Sequence, residues 1–280
     1  MTAASGFPFE FAYMQRALVA GTAVGIFAPM IGIFLVQKRL SLIGDGIGHV
    51  AFAGVGAGLL LNVWPVWSAL AFAVVGALGV DWLRARRRVA GDVALALFFY
   101  SGIALGVVFV SLGGGLNANI LTYLFGQPLT VMRSEIRVIV GLGAAITITM
   151  WVFRRALFAV VTDEDWSRAA GLPVDALNAT LAVLTACAVV AAMRIVGILL
   201  VAAMMVLPVA SAQLIARSFR GTLAWAVCIG VVSVVAGLWA AWIWSLAPSG
   251  AIVLAAALIF TICSIVKRAA PRSLRQEEHA

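Results

Sequence analysis

Asp45 and His49 lie in "SLIGDGIGHVAFAG", Ser41 to Gly54, a stretch that is otherwise apolar. A spacing of four residues puts both side chains on one helical face, one turn apart. Ionisable groups inside an apolar span are costly unless they face a cavity or a partner. Asp45 is close to the end of the segment, and His49 is one turn deeper. A carboxylate oxygen with an imidazole nitrogen suits a borderline divalent ion such as Zn²⁺ and is acceptable for Mn²⁺. One chain offers two such ligands. Two chains about a twofold axis offer four, an O₂N₂ set. The competing reading is structural: His49 bonds to its own turn or to Asp45 and serves as packing glue. Spacing alone leaves both open.

Other patterns exclude more than they assign. Gly44, Gly46 and Gly48 alternate, followed by Gly54, Gly56 and Gly58, which suits close helix approach in lipid. No strand precedes them and the spacing is not G-x-G-x-x-G, so this is no dinucleotide fingerprint. Lys38 and Lys267 are each followed by arginine, so no Gly-Lys-Ser/Thr phosphate loop exists. If ATP powers this protein, another subunit hydrolyses it. Cys187, Cys228 and Cys263 lie in apolar stretches without a C-x-x-C pair, which argues against a disulfide framework or thiolate metal site. Met204 and Met205 read as packing rather than ligands. Ser41, Ser101, Ser111 and Ser211 have no histidine at suitable spacing, so nothing indicates covalent catalysis, and His279 belongs to the tail.

These residues need elements to hold them. Of 280 residues, 64% are hydrophobic and 11% charged. A soluble chain would carry roughly a quarter charged residues. The composition predicts an all-α, polytopic membrane helix bundle. Candidate spans are Phe11–Val36, Gly46–Val63, Trp64–Trp82, Asp92–Leu112, Glu135–Phe153, Val174–Met193, Ile195–Ala216, Gly221–Trp244 and Gly250–Val266. That makes nine, or eight if the sixth and seventh are one, since only "MRIVG" separates them. Pro29 and Pro208 should kink their spans, freeing carbonyls that need a neighbour. The start of the chain has no basic run before its apolar one, so a cleaved signal peptide is not expected.

Net charge is +8. In a bilayer this follows from insertion and implies no nucleic-acid partner. With the N-terminus outside, one set of loops collects 15 of the 19 basic residues, among them Lys38, Arg39, Arg84, Arg154, Arg155, Arg168, Arg217 and Arg220. Arg16, Arg133, Arg137 and Arg194 remain on the other side. The bias predicts N-terminus out, C-terminus in, and an odd number of crossings.

Two stretches are not spans. Gly113 to Thr130 is broken by glycine and proline and fits an external or re-entrant segment buried against protein. Arg154 to Asn178 is a structured cytoplasmic loop. Thr162 is expected as an N-cap, with Asp163, Glu164 and Asp165 in the first turn and Gly171 and Pro173 ending a helix of about nine residues. Were an ATPase present, that helix would dock it; the alternative is an ordinary surface helix. The expected organisation is an external segment 1–10, a transmembrane domain 11–266 with a coupling helix near 162–171, and a cytoplasmic tail 267–280.

These pieces resemble the bacterial zinc/manganese ABC-importer permeases. The family pattern runs roughly "RR-x-S-L-x-G-D-A-x-S-H-A"; here Lys38-Arg39-Leu40-Ser41-Leu42-Ile43-Gly44-Asp45-Gly46-Ile47-Gly48-His49 stands, with Gly46 and Gly48 replacing the usual alanine and serine. "ILTYLFGQPLTV" is similar to the family's "L-F-G-x-x-L-x-V" segment, with Gln127 a departure. "TDEDWSRAAGL" resembles its "D-E-x-x-A-x-x-x-G" coupling segment, and "VGILLVAAMMVLPVASA" its "G-x-L-L-V-x-A-L-L-V-L-P-A-A-x-A" segment. The resemblance covers most of the chain in order. It implies a type II ABC-importer permease-like bundle in the bacterial cytoplasmic membrane, not itself an enzyme, with no permanently bound cofactor. It also implies separate ATPase subunits, an extracellular or periplasmic metal-binding protein and a second permease subunit, expected as a homodimer. Asp45 and His49 then contact transported Zn²⁺ or Mn²⁺, with zinc favoured by the "LFG…LTV" wording. Asp163, Glu164, Asp165, Ala169 and Gly171 then couple to the ATPase. Two rival expectations stand beside it. A permease for a metal chelate, a siderophore or cobalamin, needs no inner-sphere ligands. An ATP-independent secondary carrier usually shows internal repeats and deeper charges.

Overall fold

The computed structural model describes residues 11–85, 91–115 and 118–269. The expected segment 1–10 and the tail from residue 270 onward lie outside them. The described residues form eleven α-helices and one 3₁₀ turn, with no strand. They are α1 Ala12–Gln37, α2 Ile43–Leu60, α3 Pro65–Ala85, α4 Gly91–Leu112 and α5 Ala118–Phe125, then the 3₁₀ turn Pro128–Thr130. The rest are α6 Arg133–Thr162, α7 Glu164–Ala169, α8 Val174–Ala192, α9 Val201–Ile215, α10 Phe219–Trp244 and α11 Pro248–Ala269.

Among the described residues, eight helices are long and apolar enough to cross a membrane. The ninth apolar segment, α9, has 15 residues. At 1.5 Å per residue it reaches about 22 Å, short of the ~30 Å hydrocarbon layer. Nine apolar segments are thus present, eight of spanning length, and residues 193–200 keep the sixth and seventh apart rather than joining them into one. Several boundaries moved. α6 runs past the expected Phe153 to Thr162, because Arg154 and Arg155 end the apolar stretch without ending the helix. α11 continues through Ala269, so the tail starts as helix. α9 begins six residues later than expected.

That late start is a break in the chain. Residues 193–200 leave helical geometry and meet the end of α5. The last carbonyls of a helix have no partner within it. Here Ile198 N–H donates to the Tyr123 carbonyl at 3.0 Å, Leu199 N–H to Leu124 at 3.3 Å, and Gln127 N–H to the Arg194 carbonyl at 3.0 Å. Irregular backbone can exist at membrane depth when protein satisfies it in this way. The two segments of this exchange meet at Gly126 and Gly197, with φ of +70° and +86°. A Cβ on Gly126 would lie 2.5 Å from the Gly197 nitrogen, so both the left-handed backbone and the approach demand glycine.

The bundle is layered by enclosure. In α2, α1 and α8, 78%, 67% and 61% of the apolar window is buried, against 22% in α4, α6 and α11. α2 packs between α3 and α4; α1 packs on α10, α6 and α9; α3 joins the two groups through α8. A short elbow links α1 to α2. Arg39 turns it with φ of +58°, and Leu40 N–H donates back to the Leu35 carbonyl at 2.8 Å.

Candidate functional site

Asp45 falls in the first turn of α2, where unpaired helix N–H groups favour a carboxylate. It is half-buried. His49, one turn deeper, is 9% exposed. Its ring meets Phe99 of α4 edge-on, with centroids 4.4 Å apart and planes at 70°. α4 comes this close because Gly102 has no side chain: a Cβ there would sit 2.8 Å from the His49 carbonyl carbon. The opposite flank of α2 is pressed against the chain break. A Cβ on Gly44 would be 3.1 Å from the Met205 sulfur, and one on Gly48 would be 3.2 Å from Ile198. The alternating glycines thus seat α2 between α4 and the break. Among the described residues, no third histidine, cysteine or acid joins the pair into a metal-ligating group. Met204 and Met205 are buried in the core, the packing role their sequence context predicts.

The segment expected at the cytoplasmic face departs from expectation at its start. Thr162 is the last residue of α6, and its hydroxyl donates to the Phe158 carbonyl at 2.8 Å. Asp163 is the N-cap of α7, accepting from Trp166 N–H at 2.8 Å. α7 is therefore six residues long rather than about nine, because α6 consumes the threonine. Its end is as expected. Gly171 has φ of +80°, and Leu172 N–H returns to the Ser167 carbonyl at 3.0 Å, the six-to-one closure of a glycine C-cap.

Glu164 of α7 does more than start a helix. Asn178 Nδ2 on α8 donates to Glu164 Oε1 at 2.7 Å, and Lys38 Nζ donates to Asn178 Oδ1. Lys38 Nζ also lies 3.9 Å from Glu164 Oε2. This triangle ties α7 and α8 to the α1–α2 elbow. Burial pushes the Lys38 ammonium below its usual pKa, and the Glu164 charge opposes that shift. The triangle lines a cleft of about 1210 Å³ shared with Asp81, Arg84 and Arg168. Asp165, Ala169 and Gly171 are exposed, and so is Trp166, at 64%. The sequence reading missed Lys38, Asn178 and Trp166. An indole on a short helix at a basic end was the available signal.

At the other end, Arg194 in the break pairs with Glu135 of α6. Nε lies 2.8 Å from Oε1, and Nη2 donates to Oε2 at 3.1 Å. The guanidinium also lies over the Tyr123 ring of α5, 5.0 Å from its centroid. Glu135 Oε2 accepts Met132 N–H at 2.9 Å, capping α6. Sequence reading placed Arg194 on the outer side but gave it no partner. Breaking a buried pair from one side leaves a lone charge and costs about 3–5 kcal/mol. Glu135→Gln or Arg194→Met is expected to lower the thermal midpoint of the purified chain sharply. The double variant should recover much of the loss; equal midpoints for wild type and single variants would show that the pair is idle.

Residues 10–267 match the family described as the ABC 3 transport family. The chain is 31% identical over 253 residues to the manganese transport system membrane protein MntC of Halalkalibacterium halodurans, covering 90% of this chain and 87% of that one. It is 26% identical over 259 residues to the high-affinity zinc uptake system membrane protein ZnuB of Haemophilus influenzae, covering 92% and 98%. Its structure resembles that of PsaBC from Streptococcus pneumoniae in complex with Fab, with a TM-score of 0.82 and 30% identity over 91% of each chain. The match runs across every helix that positions Asp45, His49, α7 and the break, and the chain belongs to the ABC 3 transport family.

Proposed function

We propose that this chain is the membrane permease of an importer for a divalent first-row metal ion, zinc or manganese. Separate ATPase subunits drive it, an external metal-binding protein feeds it, and it works in the bacterial cytoplasmic membrane. One observation carries the reading: Asp45 and His49 share one face of the most enclosed helix, with an aromatic helix closing over the imidazole. The names of the manganese and zinc relatives support the same cargo.

A single chain supplies two ligands, so a second copy completes an O₂N₂ set around the ion. Two carboxylates offset its double charge and lower the cost of crossing a low-dielectric interior. The donor set suits both ions. An imidazole nitrogen holds zinc more tightly than manganese in the usual order of divalent affinities, so zinc is the proposed cargo. α7 offers Trp166, Asp165 and Ala169 to the ATPase. Movement of α7 passes through Glu164, Asn178 and Lys38 to the elbow, and from there to α2 and the ligand pair.

The test is the elemental content of cells lacking this permease, grown with each metal limiting in turn. Cellular zinc is expected to fall while manganese holds. A fall in manganese alone would replace the zinc assignment. No change in either metal removes the importer reading.

A further inference from the structure

A second cleft, of about 530 Å³, opens between the basic ends of α1, α6 and α10. Its floor is apolar, built from Met30, Phe34, Met150 and Leu223. Phe219 packs there between Phe34, edge-on, and Phe158, tilted, with centroids 5.4 Å and 4.7 Å away. Its rim carries Arg154, Arg155 and Arg220, all exposed. None of these arginines forms an ion pair with a carboxylate of the described residues. Arg154 lies over the Trp151 ring at 5.2 Å. A cation–π contact of this kind engages the guanidinium face and leaves its N–H groups to donate.

Depth along α6 places this rim. From Arg133 to Arg154 the helix rises about 32 Å at 1.5 Å per residue, which matches the ~30 Å hydrocarbon thickness. With Arg133 at one surface, Arg154 and Arg155 stand at the headgroup level of the other. Trp151, 65% exposed, lies one turn inward, where interfacial indoles gather. The positive-inside bias accounts for basic residues on this side. It does not account for three arginines around one greasy cleft that no carboxylate of the described residues pairs. Guanidinium forks fit phosphate oxygens better than an ammonium does, and all three residues are arginine. Ser218 already caps the first turn of α10 by accepting Gly221 N–H at 3.1 Å, so the arginines supply the donors.

We propose that this cleft holds an anionic phospholipid of the leaflet on the α7 side, its phosphate on Arg154, Arg155 and Arg220 and its glycerol and upper acyl carbons on Phe34, Met150 and Leu223. The site rests on membrane embedding alone and is independent of the transported ion. Basic groups near an anionic surface favour binding by about fivefold each.

The experiment is native mass spectrometry of the purified full-length chain, released from detergent after incubation with phosphatidylglycerol or phosphatidylcholine. Phosphatidylglycerol adducts are expected to dominate. The triple variant Arg154→Gln, Arg155→Gln, Arg220→Gln should lower their excess by about a hundredfold. Arg268→Gln, a basic residue at the same end and outside the cleft, should leave it unchanged. If the glutamine triple fails to fold, the lysine triple serves, with retention expected between wild type and none. Excess inorganic phosphate should not displace the lipid; full displacement would mean that the cleft takes free phosphate instead. Adducts that appear only after removal of residues 270–280 would make the tail the occupant and overturn the proposal. Equal retention of both lipids would also overturn it.

Discussion

His49→Ala and Asp45→Ala are each expected to lower metal uptake by at least about a hundredfold, while the chain still inserts and still assembles with its ATPase. Loss of a residue that only supports a metal ligand costs 10–100-fold in affinity, so loss of a ligand itself costs no less. Each substitution acts twice in the assembled transporter, once in each proposed copy. His49→Ala also removes a ring packed against Phe99, so membrane abundance and ATPase activity are measured beside uptake. Asp45 is half-buried at a helix start, and its alanine variant is structurally mild. The two variants therefore separate lost ligation from lost packing. Acid gives an independent check. A protonated imidazole has no lone pair, so proton and metal compete for it and wild-type uptake falls as the pH is lowered. Normal uptake in both variants, with correct insertion, would end the ligand role of this pair.

Gly32→Ala is expected to be the most damaging single methyl in the bundle. Gly32 sits where α1 crosses α9. A Cβ there would fall onto the Met205 carbonyl oxygen and 2.8 Å from its carbon. Those atoms are helix backbone and cannot rotate aside. Overpacking usually costs 1–3 kcal/mol, and a backbone obstacle places this case at about 3 kcal/mol or more. Because α9 also lies against Gly44 of α2 through Met205 and Ala202, the damage should reach the helix that carries the proposed ligands and reduce uptake as well. Gly141→Ala is the matched control. It lies in α6, and an added Cβ meets nothing within 4 Å, so it should gain about 0.5–1 kcal/mol from reduced chain entropy. Thermal midpoints of both variants in one detergent decide the matter. If Gly32→Ala melts with the wild type, α1 and α9 do not touch as described.

Much of this protein was legible without coordinates, for reasons that act locally. Hydrocarbon thickness dictates the length of an apolar run, so nine apolar segments could be read directly, though not that the seventh is too short to span. Four-residue spacing places Asp45 and His49 on one face whatever surrounds them. Gly171 followed by Pro173 ends α7 because backbone dihedrals are decided within a few bonds. The basic bias among loops is likewise a property of sequence, since insertion reads it as the chain emerges.

The remainder depended on which faces meet. "MRIVG" marks a boundary between spans, but it does not say that the chain stays unwound through Leu200, because an isolated helix would keep those hydrogen bonds; it is the end of α5, far off in sequence, that offers them better partners. Thr162 and Asp163 are both good caps, and only the continuation of α6 chose between them. Arg194 needed Glu135, Lys38 needed Asn178, and Gly32 needed Met205, each a contact between distant segments. Local chemistry determined the elements and the shared face of the candidate pair Asp45 and His49. Packing across the bundle decided where the chain breaks, which charges are shared, and how α7 is tied through Asn178 and Lys38 to the elbow before α2.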